Sequence, residues 1–434
     1  MPMATIPGPG DRPTRAAKET PLDGRRAASA LTALVAAMVL VACGADTRPA
    51  TPPPATSPSR ATPAVRPAAA AAPDLAAIMS VSAVNDTGAM VIGRAGRAGA
   101  EFYYLAHGAQ PVPLTHDGAP IEPSLLNNAG QVVGTVTDPA GNQPPRLVRW
   151  QDGHSTVLPV HGDQIIPEDL NDHGQVTAVT VTAAREPGTA QGRDATTTPR
   201  AFLTDGTMTV DLGVDPDVNE HNLYLNEAGQ VAGLTFEGSG TSPRGFLWDR
   251  GRLTTFDTGP TTHPVVMGVN DAGQVAGLVL DDQDSPSGAH PIFRPAFRWR
   301  SGVLTTLDTG GGGAGPVRIN RSGQVTGVVA DTSGASRDVV IWSSAPDARP
   351  NRLGIADADY VVAINDHGDV LVSALTGPTA SPGGRLWHDG QLITLGTLGG
   401  TAADPKGLSA HGLVAGVSTS ADGTWHAAIW PPNS

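Results

Sequence analysis

A short phrase, Asn-x-x-Gly, returns down the whole of this 434-residue chain, and such a return restricts the fold to a stack of like units. Seven copies are complete. They are Asn85 to Gly88, Asn127 to Gly130, Asn171 to Gly174, Asn226 to Gly229, Asn270 to Gly273, Asn320 to Gly323 and Asn365 to Gly368; a degenerate eighth runs Ser409-Ala410-His411-Gly412. Copies lie about 46 residues apart, a period at which each repeat is one supersecondary unit that buries its apolar face only against neighbours. Catalytic groups do not recur with the repeat, so the pattern speaks for architecture before activity.

The fifth copy shows the unit. Four short apolar, β-branched runs follow one another, His263 to Val269, Gln274 to Val279, Ala296 to Trp299 and Val303 to Leu307, with turn residues between them and no helical period. Each repeat therefore reads as a four-stranded antiparallel meander. The chain's 53 glycines and 39 prolines suit many tight turns, and its 16% of charged residues leaves room for a large core. In the phrase itself, Asn bonds backbone further along the turn and Gly supplies the left-handed conformation that ends it. The seven Asn and Gly pairs are accordingly structural turn residues. His173, His367 and His411 stand there as exposed turn residues, because no second ligand keeps a fixed offset from them.

Two further columns recur. Glycine stands inside the second strand at Gly93, Gly134, Gly233, Gly277, Gly327 and Gly416, which implies close approach of another backbone. An aromatic marks the third strand at Trp150, Trp248, Trp299, Trp342, Trp387 and Trp430, where Leu105 and Thr204 fill the other copies. One large side chain per repeat at one place reads as a wedge between adjacent sheets rather than a sugar-stacking platform. The fourth run appears seven times, from Gln110 to Leu114 in the first copy to Gln391 to Leu395 in the seventh, and is missing after Trp430.

Before the repeats, Arg25-Arg26 precede an apolar run from Ala27 to Ala42 that ends at Cys43, the one cysteine. A positive start, a short apolar stretch and small residues at its end make a secretory signal, too short for a comfortable membrane span. Leu40-Val41-Ala42-Cys43 resembles the lipobox of bacterial lipoproteins, which implies lipidation of Cys43 and an anchored protein facing outside the cytoplasm. Residues 43–73, rich in Pro, Ala and Thr, read as an extended, solvated linker, and 74–434 as the globule. The formal net charge of −13 argues against nucleic acid as a partner.

Asn270 to Gly277, Gly245-Phe246-Leu247-Trp248-Asp249 and Gly390 to Gly400 together resemble the HAF-type extracellular repeats of bacteria, over about residues 76 to 431. The resemblance implies an exported β-propeller without a general assigned activity, and it supplies no catalytic residues.

A β-propeller of eight four-stranded blades is the architecture expected, because radial repetition leaves only short sheet edges; seven blades is the alternative. With strands running outward in chain order, the last blade either ends three-stranded or is completed by the first strand, Ile78 to Val84. In the first case that strand is innermost in the first blade; in the second it joins Leu413 to Val417 and Ala428 to Trp430, and either way the termini lie close together. The elaborated loops, Val179 to Arg200 and Leu280 to Pro295, fall on the face opposite the Asn-x-x-Gly turns. Asp281, Asp282 and Asp284 in the second are a weak ligand site whose spacing matches no calcium loop.

The function expected is binding or scaffolding by a lipid-anchored monomer without catalysis or cofactor, its partner a protein or glycan of the cell envelope. Glycan binding is the alternative. A polysaccharide-acting hydrolase or lyase is the rival, and it requires paired carboxylates or an arginine cluster at the axis.

Overall fold

The computed structural model describes residues 64–432 except 71–79, 97–98, 139, 184–196, 217–222, 237–242, 282–293, 335, 346–348, 357, 359 and 375–382. Every regular element among these is a strand, and the strands form eight four-stranded antiparallel blades. The first strands are Ser80–Val84, Glu122–Leu126, Gln164–Leu170, Leu223–Leu225, Thr262–Val269, Arg318–Ile319, Tyr360–Ile364 and Gly399–Leu408, and they begin blades 1 to 8. Each touches the first strand of the next blade, and that of blade 8 touches that of blade 1. The ring is therefore closed, its first strands innermost, and eight is its number.

Within a blade, sheet order follows chain order, as in blade 5: Thr262–Val269, Val275–Asp281, Ala296–Arg300, Val303–Leu307. The outer hairpins of blades 2, 4, 5 and 7 turn on Asp152-Gly153, Arg250-Gly251, Ser301-Gly302 and Asp389-Gly390, both residues of each pair having positive φ. This is the primed turn whose twist matches the strands it joins.

The glycine column has a local cause. In blades 1, 2, 3, 5, 7 and 8 the first strand carries a bulge opposite the second, between Val266 and Gly268 in blade 5. The extra residue pushes the inner backbone toward its neighbour, so that a Cβ on Gly277 would collide with the Val265 carbonyl oxygen. The close approach lies inside the blade, at the bulge, rather than across the axis.

Tryptophan fills the spaces between blades. Trp150, Trp248, Trp299, Trp342 and Trp430 are at most 6% exposed, whereas Trp387 is half-buried. The Nε1–H groups of Trp342 and Trp430 donate to the carbonyls of Asp308 and Gly396 in the preceding connections, each at 2.7 Å.

Closure differs from both expected schemes. Blade 8 is completed by Ala69–Ala70, which pairs antiparallel with Trp425–Trp430, Ala69 opposite Ile429. Just before it, Ala64–Arg66 adds a fifth, parallel strand outside Gln391–Leu395 of blade 7. Residues 64–70 of the expected linker thus belong to the propeller, and Arg66 is buried at 3% exposure. Ser80–Val84 stays innermost in blade 1.

Other boundaries move as well. The described ends of the first elaborated loop are strand, Val176–Ala183 pairing with Thr197–Thr204. The fourth strand of blade 1 is Val112–Pro113, shorter than the expected run from Gln110 to Leu114, and a small hairpin, Thr115–His116 with Ala119–Pro120, follows it before blade 2.

Candidate axial site

The Asn-x-x-Gly turns meet around the axis, and their asparagines do more than close turns. Each is buried, Asn226 at 5%. Its Oδ1 accepts the Gln230 N–H and its Nδ2 donates to the Gln230 Oε1, both at 2.8 Å. The same Nδ2 donates to the backbone carbonyl of Asn270 in the next blade, also at 2.8 Å. Links of this kind run from Asn85 to Asn127, Asn127 to Asn171, Asn171 to Asn226, Asn270 to Asn320, Asn320 to Asn365 and Asn365 to Ser409, at 2.9–3.2 Å. Seven blade junctions are stitched this way. At the eighth, Ser409 carries no amide to donate.

A second circle, formed by the residue after each Asn, closes that gap. The backbone N–H of Ala410 donates to Asp86 Oδ1 at 2.9 Å, joining the last blade to the first. Asp86 then donates to Asn128, Asn128 to Asp172, Asp172 to Glu227 and Glu227 to Asp271, each from backbone N–H to side-chain oxygen at 2.7–3.0 Å. Arg321 cannot accept such a bond. Its guanidinium instead reaches Asp271 at 2.7 Å and Asp366 at 3.4 Å, while its own N–H donates to Asp366 Oδ1.

The result is a rim of five carboxylates, Asp86, Asp172, Glu227, Asp271 and Asp366, against one guanidinium. Below them the residues before each Asn, among them Leu225, Val269, Ile319, Ile364 and Leu408, form an apolar collar. Four of these carboxylates, Asp86, Glu227, Asp271 and Asp366, line an axial cavity of about 280 Å³ together with Arg321 and the collar. Burial holds the Glu227 carboxyl above its usual range, and the neighbouring charge of Asp172 adds to this. The bond to Asp271 pushes the Arg321 guanidinium upward.

Beside the collar, Asp169 accepts the N–H of Leu225 through Oδ2 and that of Leu170 through Oδ1, both at 2.8 Å. Enclosure by protein raises its carboxyl to about 6, against the lowering effect of those two bonds.

The sequence-derived site residues scatter. The Asn and Gly turn residues surround the axis, whereas Asp281 is exposed at the outer end of its strand, and Asp282 and Asp284 lie outside the described residues, as does Cys43. His173 is largely exposed and sits 3.2 Å from Glu227. The turn carboxylates converge on the axis, which the sequence analysis did not anticipate. The signal was present, since the position after Asn reads Asp, Asn, Asp, Glu, Asp, Arg, Asp, Ala in successive copies.

No family model and no curated protein matches this chain. The fold is that of solved propellers. It is similar to the acylaminoacyl peptidase of Pyrococcus horikoshii, at 10% identity over 75% of this chain and 53% of that one, with a TM-score of 0.48. It is also similar to the β-propeller domain of the trilobed protease from Pyrococcus furiosus, at 10% identity over 74% and 97%, TM-score 0.44. A puromycin-hydrolysing peptidase of Mycobacterium tuberculosis matches at 12% identity over 82% and 62%, TM-score 0.46. The chain thus spans about half the length of the first of these. The expectation of a binding or scaffolding propeller without catalysis, with glycan binding as its alternative, is corrected by this finding: the three structures named are peptidases or the propeller domain of a protease.

Proposed function

We propose that this chain is a peptide-admitting propeller that serves a peptidase, its axial mouth receiving extended, positively charged segments. The observation that carries the reading is the carboxylate rim set directly above an apolar collar. A cationic side chain shares the outer lone pairs of carboxylates already held by backbone N–H groups, and the apolar collar takes the residues that follow. A bare divalent ion suits the rim less well, because binding it would draw those oxygens away from the bonds that join the blades. Among the described residues no group of His, Cys, Asp and Glu is arranged to hold a metal.

Titration of the full chain with arginine- and lysine-bearing peptides tests this. Affinity is expected to fall with rising salt, and to drop about tenfold when Glu227→Gln and Asp366→Asn are combined, because two fewer charges face the ligand. Membrane fractions lacking the chain are expected to cleave cationic peptides more slowly than fractions containing it. Equal binding of acidic and basic peptides, or unchanged cleavage, would contradict the reading.

We also propose that Cys43 carries a lipid and that the globule faces outside the cytoplasm, supported by the apolar run that ends at this cysteine. Cys43→Ser is expected to leave an unprocessed precursor or release the protein from membranes. Unchanged processing and fractionation would refute the anchor.

A further inference from the structure

Three of the eight blade junctions share a device that the other five lack among the described residues. In blade 2, Arg149 stands opposite Val133 and donates from Nη1 to the carbonyl of Gly174, the turn glycine of blade 3, at 3.0 Å. In blade 5, Arg298 stands at the same register, opposite Ala276, and donates to the Gly323 carbonyl of blade 6, also at 3.0 Å. Arg298 is 5% exposed and spends its other donors on the carbonyls of Ser343 and Ala345, at 2.8 and 2.7 Å. Blade 7 has Leu386 at this register, and there the guanidinium arrives from the N-terminal segment: Arg66 donates to the Gly412 carbonyl of blade 8 at 2.8 Å. A guanidinium on the carbonyl of the next blade's turn glycine is thus a repeated solution to filling the junction.

At the other junctions this place holds Tyr104, Leu203, Leu247 and Ile429, and between blades 6 and 7 it holds Ile341, opposite Thr326, where a cavity remains. No guanidinium bonds Gly368 there, and its carbonyl accepts no hydrogen bond among the described residues. A cavity of about 260 Å³ stands in its stead, lined by Gln324, Ile341, Ser343, Asn351, Gly368 and Trp387. That volume is below the range of drug-sized pockets and suits one long side chain. Trp387 is the half-buried member of a column whose other members are at most 6% exposed, and it faces this space.

From this we infer that the junction between blades 6 and 7 is a socket for the arginine side chain of a peptide or protein partner, its guanidinium seated on the Gly368 carbonyl and stacked on Trp387. The carbonyl supplies a fixed acceptor, and the half-buried indole face adds cation–π attraction, for which arginine is better suited than lysine. Arg349 and His367 also line the cavity, and both are exposed. The inference is independent of the axial mouth.

Saturation-transfer NMR on the full chain, with N-acetyl-arginine methylamide as probe and the lysine and citrulline analogues and free arginine as comparisons, tests it. Saturable binding of the arginine probe is expected, with lysine and citrulline at least about tenfold weaker. Free arginine binding tenfold better than the blocked residue would identify a small-molecule site and overturn a partner's side chain. Ile341→Arg is expected to fill the socket from within, as Arg149 and Arg298 do, abolishing probe binding in a folded protein. Trp387→Leu is expected to weaken binding severalfold, and all of these measurements are made in the Glu227→Gln, Asp366→Asn background, which weakens competing binding at the axial rim. Retained binding in both the Ile341→Arg and Trp387→Leu proteins would overturn the inference, as would equal binding of citrulline. A gain of tenfold or more in Arg349→Ala would also overturn it, by showing that the socket is the seat of Arg349 itself.

Discussion

Gly273 shows why the repeated phrase tolerates change at its middle and not at its end. Its φ is +67°, and a Cβ there would stand 3.2 Å from the Gln230 Oε1 of the preceding blade, so both backbone and neighbour demand glycine. Gly273→Val is expected to cost roughly 1–3 kcal/mol, with Ala272→Val close to silent. Thermal melts of the two variants check this, and equal melting temperatures would count against it. Asp169 gives a second test at this scale. Its carboxyl is raised in the folded state to about 6, so the native protein holds a proton that the unfolded chain releases near pH 4. Its contribution to stability is full below about pH 4, shrinks as pH rises through about 6, and stays low above. The difference in melting temperature between wild type and Asp169→Asn is expected to change across pH 4–6 and be flat from pH 7 to 8; parallel profiles would show that Asp169 is not the titrating group.

At the scale of the element, the two short strands at the start of the globule carry more than their length suggests. Ala64–Arg66 and Ala69–Ala70 join blades 7 and 8, and Arg66 places a guanidinium on the Gly412 carbonyl between them. Burial lowers the Arg66 guanidinium and the charge of Asp369 offsets part of this; because Arg66 donates to the Gly412 carbonyl, removing it leaves that buried carbonyl without its donor. Arg66→Ala is expected to lower stability by about 1–3 kcal/mol, measured by denaturant unfolding, whereas Arg60→Ala is expected to change little. The repeats announced their meanders in the sequence because period-two apolar runs and Asn-x-x-Gly turns are local signals, and the order of strands within each blade follows from them. Residues 64–70 gave no such signal. Ala-Val-Arg-Pro-Ala-Ala-Ala has the composition of a linker, and its strands exist only because the edges of blades 7 and 8 await partners far along the chain. The axial rim was half legible for a related reason: the carboxylates after each Asn recur in plain view, but their convergence depends on the ring closing.

For the whole molecule, closure is the property from which the rest follows. The carbonyl links among asparagines, the carboxylate circle and the axial cavity all require eight blades around one axis, with the chain's first described strands laid on its last two blades. A cross-linking experiment reaches this claim directly. In a Cys43→Ser background, Val65→Cys with Thr394→Cys places two thiols on paired strands of blade 7, and Val65→Cys with Val303→Cys sets the second on the exposed outer strand of blade 5. With a short bismaleimide, the 65–394 pair is expected to cross-link within single chains in high yield and the 65–303 pair to remain open. Equal yields for the two pairs, or none for 65–394, would contradict a ring closed by its own N-terminal segment.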